Sequence, residues 1–287
     1  MQIKPNGGKK NDLQELNLLG SVKSVKEKTT YKRIKDTCVL TKYNDKGYKI
    51  ELIGYDQEGV LTGRHTYKYD TSCRMIESEW YLEDGNLLFI YNYKYDSKGN
   101  QIEEILYNFD GSINERYTSE YDNQGKMIQS AKYNPDGSIS AESFYKYDSA
   151  GNRIVEPWDD QDGNCPERTF LKFDNKGNRI EKKLYQSDGT LKMAFIFKYD
   201  EKGNQIELNM YNHDGSHELV SYDKYDNKGN VIESNIYNSD GIHHTKTTYQ
   251  YKFDKMGNWI QKREFQNEEL LTMVKREIEY YYDFNMN

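Results

Sequence analysis

"YKYDSKGNQIEEILYNFDGS", residues 93–112, contains two near-copies of one phrase: an aromatic residue, Asp or Asn, two free positions, then Gly. The copy ending at Gly99 begins at Tyr95. It recurs from Tyr43, Tyr69, Tyr121, Tyr147, Phe173, Tyr199 and Tyr225, at a spacing of 26 residues. One more copy begins at Phe253, after a two-residue insertion near His243 and His244. A second series interleaves with the first: Tyr55, Tyr81, Tyr107, Tyr133, Tyr185, Tyr211, Tyr237 and Phe265, with Asp159 where an aromatic is due. Of the 18 Gly slots so defined, 16 hold Gly, and Cys73 and Glu269 depart; the chain has 21 Gly, so most of its glycine serves this phrase. A strict period of this length marks a repeat array.

Asn134-Pro135-Asp136-Gly137 shows what the phrase does physically. Pro suits the second position of a type I turn, because its fixed φ is already correct there, and Asp is well accepted next. Gly then supplies the left-handed conformation that closes a three-residue hairpin loop with a bulge. Between turns lie short segments such as "NQIEEILY" (100–107) and "SINERYTSEY" (112–121). They are rich in Ile, Tyr, Thr and Phe and too short for helices, so they read as strands. The expected fold is all-β: a long antiparallel hairpin meander of about 20 strands. Strand twist forbids one flat sheet of that width. A spiral or partly closed shell is therefore expected, with a single-layer solenoid as the alternative.

Register follows from the turn: Asn134 should face Ser138, which sets Tyr133 across from Ile139. Repeat lengths of 12 and 14 are both even, which predicts that all turn aromatics emerge on one face. Tyr67, Tyr93, Tyr145, Phe197 and Tyr251 should join them. Ile76, Ile102, Ile128, Ile154, Ile180, Ile206 and Ile232 should lie on the other, often with Trp80, Leu106, Leu184, Met210 or Ile236 four residues on. Residues 1–20 read as a flexible leader with one short helical turn capped by Asn11 or Asp12, and 21–287 as a single β-repeat array. Strand one is placed at Val22 to Tyr31. The C-terminal "KREIEYYYDF" should form a last strand whose aromatics cap an exposed end.

Composition narrows the function. With 35% hydrophobic residues and 27 Tyr, the chain is poor in aliphatics but too aromatic and regular for disorder. A net charge of −7 provides no electrostatic footprint for nucleic acid. No run of 18 apolar residues exists, so insertion of a helix into a membrane is not expected. The start "MQIKPNGGKKNDLQELN" lacks a hydrophobic signal core. Cys38, Cys73 and Cys165 form neither a spaced pair nor a zinc motif. His213, His217, His243 and His244 gather in two units, but positions one period apart stand about 9.6 Å from each other, too far to share a metal. No metal, cofactor or catalytic residue is expected, because no nucleophile constellation or phosphate loop is present and paired carboxylates alternate faces. The chain reads as a non-enzyme.

The regularity breaks at "VEPWDDQDGNCPERTF" (155–170), where a specific site could have been built. Trp158 with Asp159, Asp160 and Asp162 would suit sugar hydroxyls, and Tyr133 and Tyr185 are the nearest turn aromatics of the same series. Asp at alternate positions before Gly163 resembles an incomplete calcium loop, and drifted turn residues account for it more simply. Pro157 inside a strand predicts a bulge or edge.

With "YKYDSKGNQIE", "YKYDSAGNRIV", "FKYDEKGNQIE" and "DKYDNKGNVIE" on the page, the chain resembles YD-repeat proteins of the RHS type over roughly residues 36–283. "LLGSVKSVKEKTTYK" (18–32) is similar to the lead-in of the short Bacteroidetes type. The resemblance implies a β-rich shell or spiral, an exported or cell-surface location, and roles in surface contact or toxin encapsulation. The resulting expectation is a Tyr-rich sheet face presented to a protein or cell-surface partner. The alternatives are a carbohydrate-binding module and an immunity-like protein that masks a toxin.

Overall fold

The computed structural model describes residues 10–32, 35–147, 153–155, 167–186 and 188–281. Among these, one helical turn, α1 (Asp12–Glu15), precedes β1 (Val22–Tyr31), β2 (Thr37–Tyr43), β3 (Lys49–Tyr55), β4 (Leu61–Tyr69), β5 (Met75–Tyr81) and β6 (Leu87–Tyr95). Then come β7 (Gln101–Asn108), β8 (Ile113–Tyr121), β9 (Met127–Tyr133), β10 (Ile139–Tyr147), β11 (Arg153–Val155), β12 (Glu167–Phe173) and β13 (Arg179–Gln186). The last are β14 (Leu191–Tyr199), β15 (Gln205–Asn212), β16 (His217–Tyr225), β17 (Val231–Asn238), β18 (His243–Phe253), β19 (Trp259–Gln266) and β20 (Glu269–Tyr280). Pairing is antiparallel throughout the described ladders, so the all-β meander of tight hairpins is what the sequence builds.

Two compact units divide the chain. The first holds residues 1–94, 105–114 and 249–287; the second holds 95–104 and 115–248. In the first unit β1 pairs with β2 on one side and β20 on the other, and β20 pairs with β19. The last strand therefore does not cap an exposed end: its backbone groups are satisfied by the first strand. In the second unit β8 to β11 pair in sequence, as do β12 to β18.

The hairpins have the predicted chemistry. Asn134 N–H donates to Ser138 O (2.8 Å), Gly137 N–H to Asn134 O (2.9 Å), and Tyr133 pairs with Ile139. Gly137 takes φ 84°, which a side chain resists. Cys73 keeps this turn despite its side chain, at φ 61°. The slot at Glu269 is different: Asn267 and Glu268 both take positive φ, and Gln266 pairs with Glu269. The last loop is therefore a two-residue turn, one residue shorter than its relatives.

The prediction that all turn aromatics share a face is overturned. Among the described ladders, each three-residue hairpin carries a second irregularity just past the turn. Lys68 pairs with Glu77 while Tyr69 pairs with Met75, leaving Ile76 as an extra residue. Tyr81 likewise pairs with Leu87 and Trp80 with Phe89, leaving Leu88 extra. Each extra residue reverses the alternation of side chains once per hairpin. Following the register, Tyr43 and Tyr69 emerge on one face of the first unit, and Tyr55 and Tyr81 on the other. The second unit repeats this, with Tyr199 and Tyr225 opposite Tyr211 and Tyr237. Ile76 and its counterparts are these extra residues, and Trp80 joins the Tyr69 face.

Neither unit has a conventional globular interior. The hydrophobic cluster of Leu13, Leu18, Val22, Val25 and Tyr43, backed by Ile278 and Tyr280, lies in the first unit. Each aliphatic side chain buried there contributes at most about 1.5–3 kcal/mol. Elsewhere stability comes from ladders shared between neighbouring strands, as in other repeat arrays.

Candidate functional site

The conserved-looking residues of the phrase are consumed by the fold. Asp96 accepts from the Lys98 and Asn100 amides (2.9 and 2.8 Å) and from Asn100 Nδ2 (2.8 Å). Those bonds, the Asn100 side chain first, hold its carboxyl below the usual range. Tyrosines of the first series act as rivets between hairpins. Tyr69 Oη donates to Lys49 O (2.8 Å) and Tyr225 Oη to Gln205 O (2.7 Å), each 20 residues upstream. Tyr121, Tyr147 and Tyr199 repeat the bond to Gln101, Met127 and Arg179. Lys and Glu beside the turn form a second ladder on the opposite face: Lys42–Glu51, Lys198–Glu207 and Lys224–Glu233 at 2.7, 2.8 and 2.7 Å. The phrase is a structural rivet, and a site must be sought in the positions between.

Those positions converge on β4–β6. The register puts His65, Tyr67, Tyr69, Ser78, Trp80, Phe89, Tyr91 and Tyr93 on one face, and Arg64, Lys68, Glu77, Glu79 and Lys94 on the other. The three strands contribute no charged residue to the first face, and Lys49 of β3 borders it, 5.7 Å over the Tyr67 ring. His65 stacks on Trp80 with centroids 4.1 Å apart and planes 18° from parallel. Tyr91 follows 5.9 Å from Trp80, and Tyr93 lies 6.4 Å from Tyr91 at 9°. Burial, and then the Lys49 charge, hold His65 below its ordinary pKa, so the ring is neutral at pH 7. Trp80 remains 37% exposed. Beside His65, Gly54 and Gly63 face each other across β3 and β4 and add no side chain to this face.

Trp158, Asp159, Asp160 and Asp162 lie outside the described residues, as do Pro157 and Cys165. Tyr133 ends β9 with the Arg116 guanidinium 5.0 Å over its ring. Tyr185 lies in β13 opposite Leu191, four strands further along the chain. His217 and His243 each stand against the Asn eight residues upstream, Asn209 (3.2 Å) and Asn235 (3.3 Å), and beside Tyr211 and Tyr237. Among the described residues no cluster of three metal-binding side chains exists. An open groove of about 530 Å³ lies between the turns at 200–203 and 226–229, lined by Lys202, Ile206, Asp223 and Ile232 among others. Its Asp200 and Asp226 already accept their own turns' amides, so it follows from the stacking of turns.

The aromatic face was missed from sequence because it depends on the extra residue past each turn. One signal was present: Trp80 occupies the same repeat position as Trp158, each just before a second-series slot.

No family model matches the chain, and no curated protein matches it. Among solved structures it is similar to that of TcdB2-TccC3-Cdc42, at 12% identity and a TM-score of 0.35, over 82% of this chain and 15% of that one. It is similar to a porin-like protein from Bacteroides uniformis at 11% identity and a TM-score of 0.37, over 90% and 96% of the two chains. A Photorhabdus luminescens Tc holotoxin pore, carrying a TccC3 mutation, matches at 11% identity and a TM-score of 0.21, over 83% and 19%. The chain thus spans less than a fifth of the first and third of these.

Proposed function

We propose that this chain is a non-enzymatic binding module that receives a neutral surface glycan on the aromatic face of β4–β6. The observation that carries this reading is the exposed Trp80 ring stacked on a neutral His65, in a face to which β4–β6 themselves contribute no charge and which Lys49 of β3 borders at Tyr67. Flat ring faces suit the C–H faces of a sugar, and the tyrosine hydroxyls provide polar tips with little rotamer entropy to lose. A non-catalytic role fits the carboxylates as well, since Glu207 and Glu233 are held in ion pairs with lysines. A protein partner is the competing occupant of the same face, because exposed Trp and Tyr also dominate protein contacts.

Affinity electrophoresis of the full chain through gels cast with uncharged polysaccharides tests this. Retardation should fall at least tenfold in apparent affinity on Trp80→Ala, about 1.4 kcal/mol. Met210→Ala, at the same repeat position in the second unit, should leave it unchanged. Retardation indifferent to Trp80 would remove the face from consideration. Capture of a protein that Trp80→Ala abolishes, with no polysaccharide retarding the chain, would keep the face and discard the glycan.

A further inference from the structure

First-series turns close alternate strand pairs at one end, and successive turns touch through the phrase itself. A Cβ built on Gly203 would stand 3.9 Å from Asn178 Oδ1, and one on Gly229 would stand 3.8 Å from Asn204 Oδ1. Each turn's Asn thus meets the next turn's Gly. In the first unit the series reaches the pair β20–β1, two strands from opposite ends of the sequence that no hairpin turn joins. Residues 11–20 lie in that place. Asn11 fills the space over Gly47, the first turn's glycine, where a Cβ would come within 2.7 Å of Asn11 Nδ2. Asn11 Nδ2 donates to Lys46 O (2.8 Å), Leu13 N–H to Gly47 O (3.2 Å), and Lys49 N–H to Asp12 Oδ2 (2.7 Å). At the other end Asn258, the Asn of the last turn, accepts from Leu19 N–H (2.7 Å) and donates to Leu19 O (2.8 Å).

We propose that the first and last turns frame a peptide-docking slot in the position of a missing turn, filled in cis by residues 11–20. The slot reads three things. Asn258, 3% exposed, recognises one residue, Leu19, by both its backbone groups. Val22, Val25, Tyr43 and Ile278 receive two leucines five residues apart, Leu13 and Leu18. Gly20, at φ 81°, passes where a Cβ would stand 3.1 Å from Met256 Cε and 3.3 Å from the Tyr280 ring, so a side chain there is disfavoured. The ligand class is a short peptide that starts with a capped helical turn (here Asn11 with Gln14) and carries Leu, Leu and Gly at those spacings. The slot borders the Tyr67 edge of the β4–β6 face through Asp12 and Lys49, and it does not rest on the glycan reading.

Hydrogen exchange on the full chain gives the first test. In Asn258→Ala, amides of residues 11–20 and of the turn at 44–48 should exchange at least tenfold faster. Asn204→Ala, at the same repeat position, removes a bond from Asn204 Nδ2 to Asp200 Oδ2 within its own turn and should leave residues 11–20 and 44–48 unchanged. For the second test, a protease site is engineered between Gly20 and Val22 and the chain is cut. A labelled synthetic peptide of residues 10–21 should then bind the cut chain one to one, and a Leu13→Asp peptide at least tenfold more weakly. Unchanged exchange at 44–48 in Asn258→Ala would overturn the proposal. So would failure of the peptide to bind a cut chain that remains folded; if cutting unfolds it, the exchange experiment alone decides.

Discussion

Strands β4–β6 and β14–β17 are written in the same phrase and fold into the same hairpins, yet their corresponding faces differ. In β4–β6 the face that bears Tyr69 is a row of rings with no charged residue of its own, bordered by Lys49 of β3, 5.7 Å over the Tyr67 ring. In β14–β17 the face that bears Tyr199 and Tyr225 carries Leu208, Met210, Leu219, Ile236 and the carboxylate of Asp223. Lys182 and Arg179 stand over Phe195 and Phe197 there, 5.6 and 4.7 Å from the ring centres. The phrase residues fix the ladder in both regions. The residues two and four places before each turn aromatic are free of that duty, and there the regions diverge: His65 and Tyr67 in one, Ser221 and Asp223 in the other. Specific binding has to be built at those positions, since the rest are occupied by structure.

If the ladder is common to both regions, damage to it should cost the same in each. Gly85 and Gly215 close equivalent turns at φ 82° and 80°, and a Cβ at either would meet nothing within 4 Å. Gly85→Val and Gly215→Val should each destabilise by about 1–3 kcal/mol, through backbone strain alone. Denaturant titration that found only one of them harmful would mean the two turns are not equivalent. A smaller loss is expected from the rivets. Tyr69→Phe and Tyr225→Phe each delete one hydroxyl bond to a carbonyl, worth about 1 kcal/mol. Hydrogen exchange should quicken locally, around Lys49 in one variant and Gln205 in the other. Exchange unchanged at both sites would contradict the rivet role.

The fold was legible because turn chemistry is local. Pro135, Gly137 and the even spacing fix each hairpin without help from distant residues, so strand count and the Tyr133–Ile139 register follow from sequence alone. Facing was not legible, because it depends on one unpaired residue per hairpin. Ile76 and Leu88 look like ordinary strand residues, and nothing in their side chains announces that the partner strand skips them. The same blind spot hid the aromatic face and separated Trp80 from Ile76. The pairing of β1 with β20 was likewise invisible, since it joins residues such as Val25 and Ile278 from opposite ends of the chain.

The smallest effect is the response of the ion-pair ladder to acid. Glu233 on β17 accepts from Lys224 Nζ (2.7 Å) and Asn235 Nδ2 (2.8 Å), and Lys246 Nζ lies 3.3 Å away. The Lys224 bond, then that from Asn235, pulls its carboxyl from 4.5 down to about 2. A folded value below the unfolded one means that acid protonates the unfolded chain first. The contribution of Glu233 is therefore complete above about pH 4.5 and lost as the pH falls toward 2. Glu233→Gln should be slightly less stable than the parent at pH 7, with the gap closing across that window. The pair is exposed, so the gap should be modest and should shrink in 1 M salt. Because Glu233 lies in the second unit and the β4–β6 rings in the first, Glu233→Gln should leave polysaccharide retardation at pH 7 untouched. A stability gap that stayed constant from pH 7 to pH 2 would show that Glu233 contributes through packing and not through its charge.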